Sequence, residues 1–196
     1  MNTKINIENI SALIEFNFEE VKLEYVKDGK LALEEIFGIL KRKNENVFYD
    51  KKKIVIIYET GESRVQFFIY SSGKIWCVGA RSEEDLYCAL ERHFQKAGAI
   101  MGIKKPVVLI NNIMATAMFD YKIYLDELEN YVEDGCKITY EPGIFPRKAI
   151  YKSELGSANI FLNGKIVVIA KRKDDIVPIV KNIEEIIAIN KAAIPL

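Results

Sequence analysis

The stretch FFIYSSGKIWCVGA, from Phe67 to Ala80, decides how the rest of the chain is interpreted. Two apolar runs flank a short polar segment, Ser71-Ser72-Gly73-Lys74. A phosphate-binding loop of the P-loop type requires GxxxxGK[ST] between a strand and a helix. Here the Gly-Lys pair lies between two strand-like runs and is followed by Ile75. We therefore predict a β-hairpin in which Gly73 supplies the positive φ of the turn.

This hairpin is apolar on both faces. Alternation divides its side chains into two sets: Phe68, Tyr70, Trp76 and Val78 on one face, and Phe67, Ile69, Ile75 and Cys77 on the other. One face is expected to pack under helices. The other is either covered by a partner subunit or another layer, or it is a binding surface for something flat and apolar-walled, such as an opened minor groove. The hairpin residues alone leave both alternatives open.

Composition bounds the class of protein. The chain has 196 residues, of which 49% are hydrophobic, enough for one domain or two small fused units. Lys plus Arg equals Asp plus Glu at 28 each, so a polyanion would have to be bound by locally clustered cations. The three cysteines, Cys77, Cys88 and Cys136, fit a reducing compartment and no zinc spacing. Neither a signal peptide nor an apolar run of about 18 residues is found, which predicts an intracellular protein.

Three blocks recur in the same order in the two halves of the chain. IYSSGKIWCVGA (69–80) matches IFLNGKIVVIA (160–170), FYDKKKIVIIY (48–58) matches YEPGIFPRKAIY (140–151), and IENISALIEF (7–16) matches INNIMATAMF (110–119). Such self-similarity indicates an internal duplication. We predict a first repeat at residues 1–103 and a second at 104–196, joined at Lys104-Lys105-Pro106.

Each repeat is predicted to run β-α-β-β-β-α, which gives an α+β fold with antiparallel strands and helices on one face. The predicted first helices are LALEEIFGILKRK (31–43) and YLDELENYVEDG (124–135), and Gly61-Glu62-Ser63 is the predicted turn between the second and third strands. The closing helix of the first repeat has Ser82 as its N-cap. The closing helix of the second tolerates Pro178 because that residue falls in the first turn.

The duplicated blocks resemble the TATA-box-binding protein family over nearly the whole chain. The motifs that carry the resemblance are IYSSGKIWCVGARSEED, YEPGIFPRKAIY, NNIMATA and ENISALI. The resemblance implies two tandem repeats that form a saddle, with a concave antiparallel sheet and helices on the convex face. It implies a transcription initiation factor that docks the sheet on an AT-rich minor groove, bends the DNA and recruits a factor-B-type initiation protein.

The resemblance also assigns roles to residues. The family's two amides that meet base edges at the centre of the groove correspond to Asn9 and Asn112. Its aromatic side chains that wedge between base steps correspond, in the second half, to Phe145 and Phe161. In the first half, the wedge positions correspond to Lys53 and Tyr70. Apolar groove contacts fall on Met114, Val167 and Ile169, and on Phe68, Trp76 and Val78 with Ser11 beside Asn9. Phosphate-contacting cations fall on Lys74, Arg81, Lys152, Lys165 and Lys171, with Lys51 and Lys52 nearby. Protein-partner contacts fall on Glu141 and Ile144.

Several positions depart from the family pattern. Lys53 replaces a wedging aromatic residue, Trp76 replaces a small β-branched one, and Glu59 stands at a cationic position where it would repel a phosphate. In the second half, Asn159 replaces an apolar residue and Gly143 an acid. The second half therefore resembles a DNA-binding half and the first is divergent. The alternative function is a protein that keeps the fold and uses the sheet for protein contacts or regulation.

Plainer roles remain open for some of these residues. Phe145 and Phe161 are also compatible with a core, Asn9 and Asn112 with strand-end caps, and the three lysines 51–53 with a solvated turn. The single histidine, His93, is expected to be structural. No nucleophile elbow, carboxylate pair or Gly-rich cofactor loop is found, so we expect neither an enzyme nor a metal or cofactor. A second copy of the chain is an expected partner when DNA is absent. The expected location is the cytoplasm or nucleoid in a prokaryote and the nucleus in a eukaryote.

Overall fold

The computed structural model describes residues 3–43, 45–53, 55–59, 64–129, 131–133 and 135–195. Its contacts divide the chain into an N-terminal unit, Asn9–Asn111, and a C-terminal unit, Met1–Glu8 with Asn112–Leu196. Strands β1 (Ile5–Glu15) and β8 (Val107–Met118) each begin in one unit and end in the other. The boundary expected between residues 103 and 104 stays a prediction, since a division by contacts need not follow the duplicated segments.

In the N-terminal unit, five antiparallel strands lie in the order β1-β7-β6-β5-β4. A two-stranded ribbon, β2 with β3, precedes the first helix. The elements are β2 (Val26–Lys27), β3 (Lys30–Leu31), α1 (Leu33–Arg42), β4 (Val47–Asp50), β5 (Val55–Glu59), β6 (Gln66–Tyr70), β7 (Ile75–Ala80), α2 (Glu83–Ala89), a π-helical segment (Leu90–Phe94) and α3 (Gln95–Met101).

In the C-terminal unit, six antiparallel strands lie in the order β8-β14-β13-β12-β11-β10. A second small pair joins β9 to β15 at the end of the chain. The elements are β9 (Tyr121–Ile123), β10 (Val132–Glu133), β11 (Cys136–Tyr140), β12 (Lys148–Lys152), β13 (Gly156–Phe161), β14 (Lys165–Ala170), α4 (Ile176–Ile189) and β15 (Ala193–Pro195).

The predicted hairpin forms at β6 and β7. Gly73 has φ +84°, its N–H donates to the carbonyl of Tyr70 at 3.0 Å, and the N–H of Tyr70 donates to the carbonyl of Lys74 at 3.0 Å. The predicted alternation is confirmed, because Phe67, Ile69, Ile75 and Cys77 are fully buried. The opposite set, Phe68, Tyr70, Trp76 and Val78, stays half-exposed.

Helices cover the buried face of each sheet. The closing helix of the N-terminal unit starts where predicted, with Ser82 Oγ accepting from the N–H of Asp85 at 3.0 Å. A π-helical segment that the sequence did not predict interrupts it at Leu90–Phe94. In the C-terminal unit, α4 carries Pro178 in its first turn and packs on β13 and β14 through Ile179, Ile183 and their buried neighbours. The α+β class is thereby confirmed.

One predicted helix is wrong. The segment YLDELENYVEDG gives only a 3-10 turn at Asp126–Leu128 and the short strand β10 among its described residues. Leu125 and Leu128 are buried with helical spacing, but the next aliphatic side chain, Val132, is 71% exposed. A single turn of amphipathic pattern followed by acids does not bury enough surface to extend a helix. The predicted turn Gly61-Glu62-Ser63 lies outside the described residues.

Within the described part of the chain, no helix is long and apolar enough to cross a membrane.

Candidate nucleic-acid interface

The sheet of the N-terminal unit has an open face opposite its helices, and a row of five apolar side chains crosses it. Leu13 pairs in register with Trp76, Trp76 with Phe68, Phe68 with Ile57, and Ile57 with Phe48. The first four are half-buried and Phe48 is 62% exposed. We call this set the aromatic row. It spans about 19 Å, since neighbouring strands lie about 4.8 Å apart.

The C-terminal unit has the equivalent row, and it is more polar. Thr116 pairs with Val167, Val167 with Asn159, Asn159 with Ile150, and Ile150 with Thr139. All five side chains are half-buried. We call this set the mixed row. The hydroxyl of Thr116 is already used, because its Oγ1 donates to Glu8 Oε1 at 2.7 Å.

Asn9 is held by the backbone of β7. Its Oδ1 accepts from the N–H of Gly79 at 2.7 Å, where the pairing of β1 with β7 shifts register between Ile10 and Ala12. This bond fixes the orientation of the amide and leaves both hydrogens of Nδ2 free, since no acceptor for them is found among the described residues. The fixed amide is therefore a donor, as required for the acceptor-only edges of A·T pairs in a minor groove.

Asn112 lies beside a cationic cavity of about 640 Å³ in the C-terminal unit, and Lys152, Lys171, Arg172, Glu154 and Asp175 are among the residues that line it. Arg172 is neutralised, since its guanidinium donates to Asp175 at 2.8 and 3.0 Å and lowers the pKa of that carboxyl. Lys152 and Lys171 have no carboxylate within salt-bridge distance among the described residues. Two ammonium groups and the carboxylate of Glu154 thus remain, which leaves one net positive charge for an anion such as a phosphate.

The four residues predicted to act as wedges occupy different settings. Phe145 lies in the β11–β12 turn and is 93% exposed, so it is not a core residue. Phe161 ends β13, half-buried, in register with Lys148. In the N-terminal unit, Tyr70 is half-buried, and Lys53 lies in a turn where its N–H donates to Asp50 Oδ1 at 3.1 Å. No ring contact joins Phe145 to Phe161 among the described residues.

The lysine turn of the N-terminal unit is tied to nearby acids. The N–H of Lys52 donates to Asp50 Oδ1 at 3.0 Å, and the ammonium of Lys51 lies 3.6 Å from Glu34. The three lysines therefore lie in a solvent-exposed turn, as the plainer interpretation expects. The other N-terminal cations on the predicted interface, Lys74 and Arg81, are exposed, as is Lys165 at the start of β14.

Glu59 and Lys152 occupy equivalent positions with opposite charge. Each is the last residue of its strand and follows a buried tyrosine, Tyr58 or Tyr151. The carboxylate of Glu59 accepts from Asn46 Nδ2 at 3.1 Å and from Gln66 Nε2 at 2.9 Å. Two amides therefore hold a negative charge at the edge of the N-terminal open face.

The predicted protein-partner residues lie near Phe145. Glu141, Ile144 and Phe145 line a shallow cavity of about 240 Å³, and Ile144 is 56% exposed. The remaining residues predicted to contact a groove are placed as the alternation requires. Met114 pairs with Ile169 across β8 and β14, and Val78 pairs with Gln66 across β7 and β6. Ser11 is half-buried on β1.

Sequence reasoning missed several members of the open faces. Leu13, Ile57 and Phe48 belong to the aromatic row, and Thr116 and Thr139 to the mixed row. Period-2 alternation along β1, β5 and β11 was a signal that could have found most of them. No signal in the sequence pointed to the bond between Glu8 and Thr116, since the residues lie 108 positions apart.

The other reactive side chains have structural settings. The ring of half-buried His93 lies 6.4 Å from that of Tyr58, whose hydroxyl donates to Glu45. Burial raises the pKa of the Cys77 thiol to about 12, so the thiolate is scarce at neutral pH. Among the described residues, no group of three or more His, Cys, Asp or Glu side chains could hold a metal ion.

Comparison with known proteins places this geometry in one family. The model of the family "Transcription factor TFIID (or TATA-binding protein, TBP)" matches residues 4–97 and 107–189. The TATA-box-binding protein of Sulfurisphaera tokodaii is 30% identical over 184 residues, covering 91% of this chain and 89% of the relative. That of Methanococcus aeolicus is 28% identical over 182 residues, covering 89% of each. The solved structure of Methanococcus jannaschii TBP superposes with a TM-score of 0.70 at 27% identity, covering 94% and 98% of the two chains.

The chain belongs to the TATA-binding protein family, a family of DNA-binding transcription factors rather than enzymes. The family model matches twice along the chain, which confirms the internal repeat.

Proposed function

We propose that this protein is a transcription initiation factor that docks the open sheet faces on the minor groove of AT-rich DNA and bends it. One observation carries the proposal: both units leave a sheet face uncovered, apolar in the N-terminal unit and mixed in the C-terminal unit, each with an Asn at its edge. Such a face suits the sugar and base walls of a widened groove. The amide of Asn9, with Oδ1 already bonded to Gly79, can donate to the acceptor edges of A·T pairs.

Charge supports the same function more strongly in the C-terminal unit. Lys152, Lys165 and Lys171 are exposed and have no ion-pair partner among the described residues. Phosphate contacts by such lysines release counterions, so affinity falls as salt rises. Phe145, which projects almost completely into solvent, is the principal proposed wedge in this half.

The second proposed activity is recruitment of a factor-B-type initiation protein. Its contact surface is the shallow cavity at Glu141 and Ile144, which offers one acid and one exposed apolar side chain. The proposal places the protein inside the cell, wherever the DNA is. We also propose that two copies associate through the exposed faces when DNA is absent, so binding is best measured at low protein concentration.

The test is a titration of the full chain against two duplexes of equal length, one all A·T and one G·C-rich, over a series of salt concentrations. We expect tighter binding to the A·T duplex by at least about 10-fold, because guanine amino groups obstruct an apolar face. The slope of log affinity against log salt should be several units. Absence of any A·T preference at low salt would contradict the proposal.

A second candidate function is favoured by the N-terminal unit alone. Its aromatic row carries a single hydrogen-bonding group, the indole N–H of Trp76, and ends near the negative charge of Glu59. This combination suits a protein surface better than a phosphate backbone. This candidate is a protein that uses the sheet for regulatory contacts. Failure of both duplexes to bind would favour it over DNA binding.

The Glu59→Lys substitution is expected to strengthen DNA binding. It removes a repulsive charge and places a cation where the C-terminal unit has Lys152. Affinity at low salt should rise by roughly 5-fold, and the salt slope should steepen by about one. Glu185→Lys is the matched control, because it makes the same change of charge at an exposed position of α4. It should leave the affinity and the salt slope almost unchanged. Equal effects of the two variants would show that only net charge matters.

A further inference from the structure

We infer that Asn159 determines base specificity: its amide accepts a hydrogen bond from the 2-amino group of guanine, so the half-site read by the C-terminal unit accommodates a G·C pair. This inference rests on the proposed function, since it concerns the same sheet face. A purely A·T-selective face would exclude G·C pairs everywhere, whereas this face accepts one at the position that Asn159 contacts.

Asn159 lies at the centre of the mixed row. Its neighbours along β13, Ala158 and Ile160, are buried against the helical side, so the Asn159 side chain is on the open face. Its register partners across the sheet are Val167 on β14 and Ile150 on β12. A polar amide thus stands between two aliphatic side chains, in the part of the face that would contact base edges.

The amide of Asn159 is uncommitted. No hydrogen bond to it is found among the described residues, and its polar atoms are not sealed from solvent. Asn9 differs, because its Oδ1 is occupied by Gly79. Once a ligand covers the face, an amide without a partner destabilises the complex, so the ligand must supply one.

The Nδ2 group of Asn159 can donate to any base pair, but the minor groove offers few partners for its Oδ1. Every base pair presents acceptors there, and guanine alone adds a donor, its 2-amino group. An aliphatic side chain leaves that amino group unpaired and so excludes guanine. The Oδ1 of Asn159 can pair with it, which turns the obstruction into a contact.

The equivalent position in the N-terminal unit is Phe68, which pairs with Trp76 and Ile57 as Asn159 pairs with Val167 and Ile150. Phenylalanine has no acceptor for an amino group. Accommodation of G·C is therefore confined to one half of the bound site.

The test uses an AT-rich duplex through which a single G·C pair is moved one position at a time, alongside the same series with inosine·C. Inosine lacks the 2-amino group and otherwise leaves the pair unchanged. At one position the unmodified protein should bind G·C about 5-fold more tightly than inosine·C. Asn159→Leu should reverse this order at that position. Phe68→Leu, the matched control in the other unit, should leave it intact.

If Asn159→Leu lowers the melting temperature, the same test is made with Asn159→Val, because a valine side chain suits a strand. Equal binding of G·C and inosine·C at every position, or a preference for inosine throughout, would overturn the inference while leaving the proposed function in place. Failure to bind any duplex would overturn the proposed function and the inference together.

Discussion

The Phe145→Ala variant should lose most of its affinity for AT-rich DNA and keep its stability. Stacking of an aromatic ring on a base contributes about 1–3 kcal/mol, so affinity should fall roughly 5- to 150-fold. The side chain is 93% exposed, so its removal opens no cavity and the melting temperature should be unchanged. Fluorescence anisotropy with a labelled duplex and a thermal melt measure the two quantities.

A matched pair tests whether wedging is asymmetric. Phe161 and Tyr70 hold equivalent places, each at the end of the strand that leads into a Gly-Lys turn. Phe161→Ala should reduce affinity more than Tyr70→Ala, because only Phe161 has a second aromatic wedge, Phe145, in its own unit. Equal losses in parallel titrations would contradict this. No binding by either variant or by the parent chain would favour the protein-contact function.

The Gly79→Ala variant should be severely destabilised. Gly79 has φ +99°, and a Cβ there would collide with the carbonyl group of Arg64. The left-handed backbone costs an L-residue about 1–2 kcal/mol, and the collision with the backbone adds a similar amount. The free energy of unfolding should therefore fall by roughly 3 kcal/mol, measured as a lower urea midpoint with an unchanged m-value. The shift would also displace the N–H that holds Asn9.

Gly38→Ala is the control for this experiment. Gly38 lies in α1, and a Cβ there would meet nothing within 4 Å. Replacing a helical glycine by alanine stabilises by roughly 0.5–1 kcal/mol. The two variants should thus move the urea midpoint in opposite directions. A Gly79→Ala protein as stable as the parent would mean that the register shift between β1 and β7 adapts without strain.

The sequence predicted those parts of the fold that depend on local chemistry. The hairpin at Gly73 and the helix start at Ser82 follow from turn and cap preferences that act within a few residues. The predicted helix at residues 124–135 failed because Leu125 and Leu128 imitate helical spacing for one turn only. The π-helical segment at Leu90–Phe94 depends on packing, which the sequence pattern does not show.

The positions of the candidate site were predictable from the sequence, but the hydrogen bonds that hold its side chains were not. Comparison with the family pattern identified Glu59 and Asn159 as departures from it. Alternation along the strand placed Trp76 on the open face. The amides that hold Glu59 and the backbone N–H that orients Asn9 come from residues distant along the chain. Only the register of the strands brings them together.

The opposite charges at Glu59 and Lys152 have a consequence for polarity along DNA. A duplicated protein whose halves were chemically alike would sit on a nearly palindromic site in either of two orientations with equal affinity. Under the proposed function, the two halves differ, so a site whose two ends also differ in groove shape or deformability is bound in one preferred orientation. On such a site, the complex would have a direction before any second factor arrives.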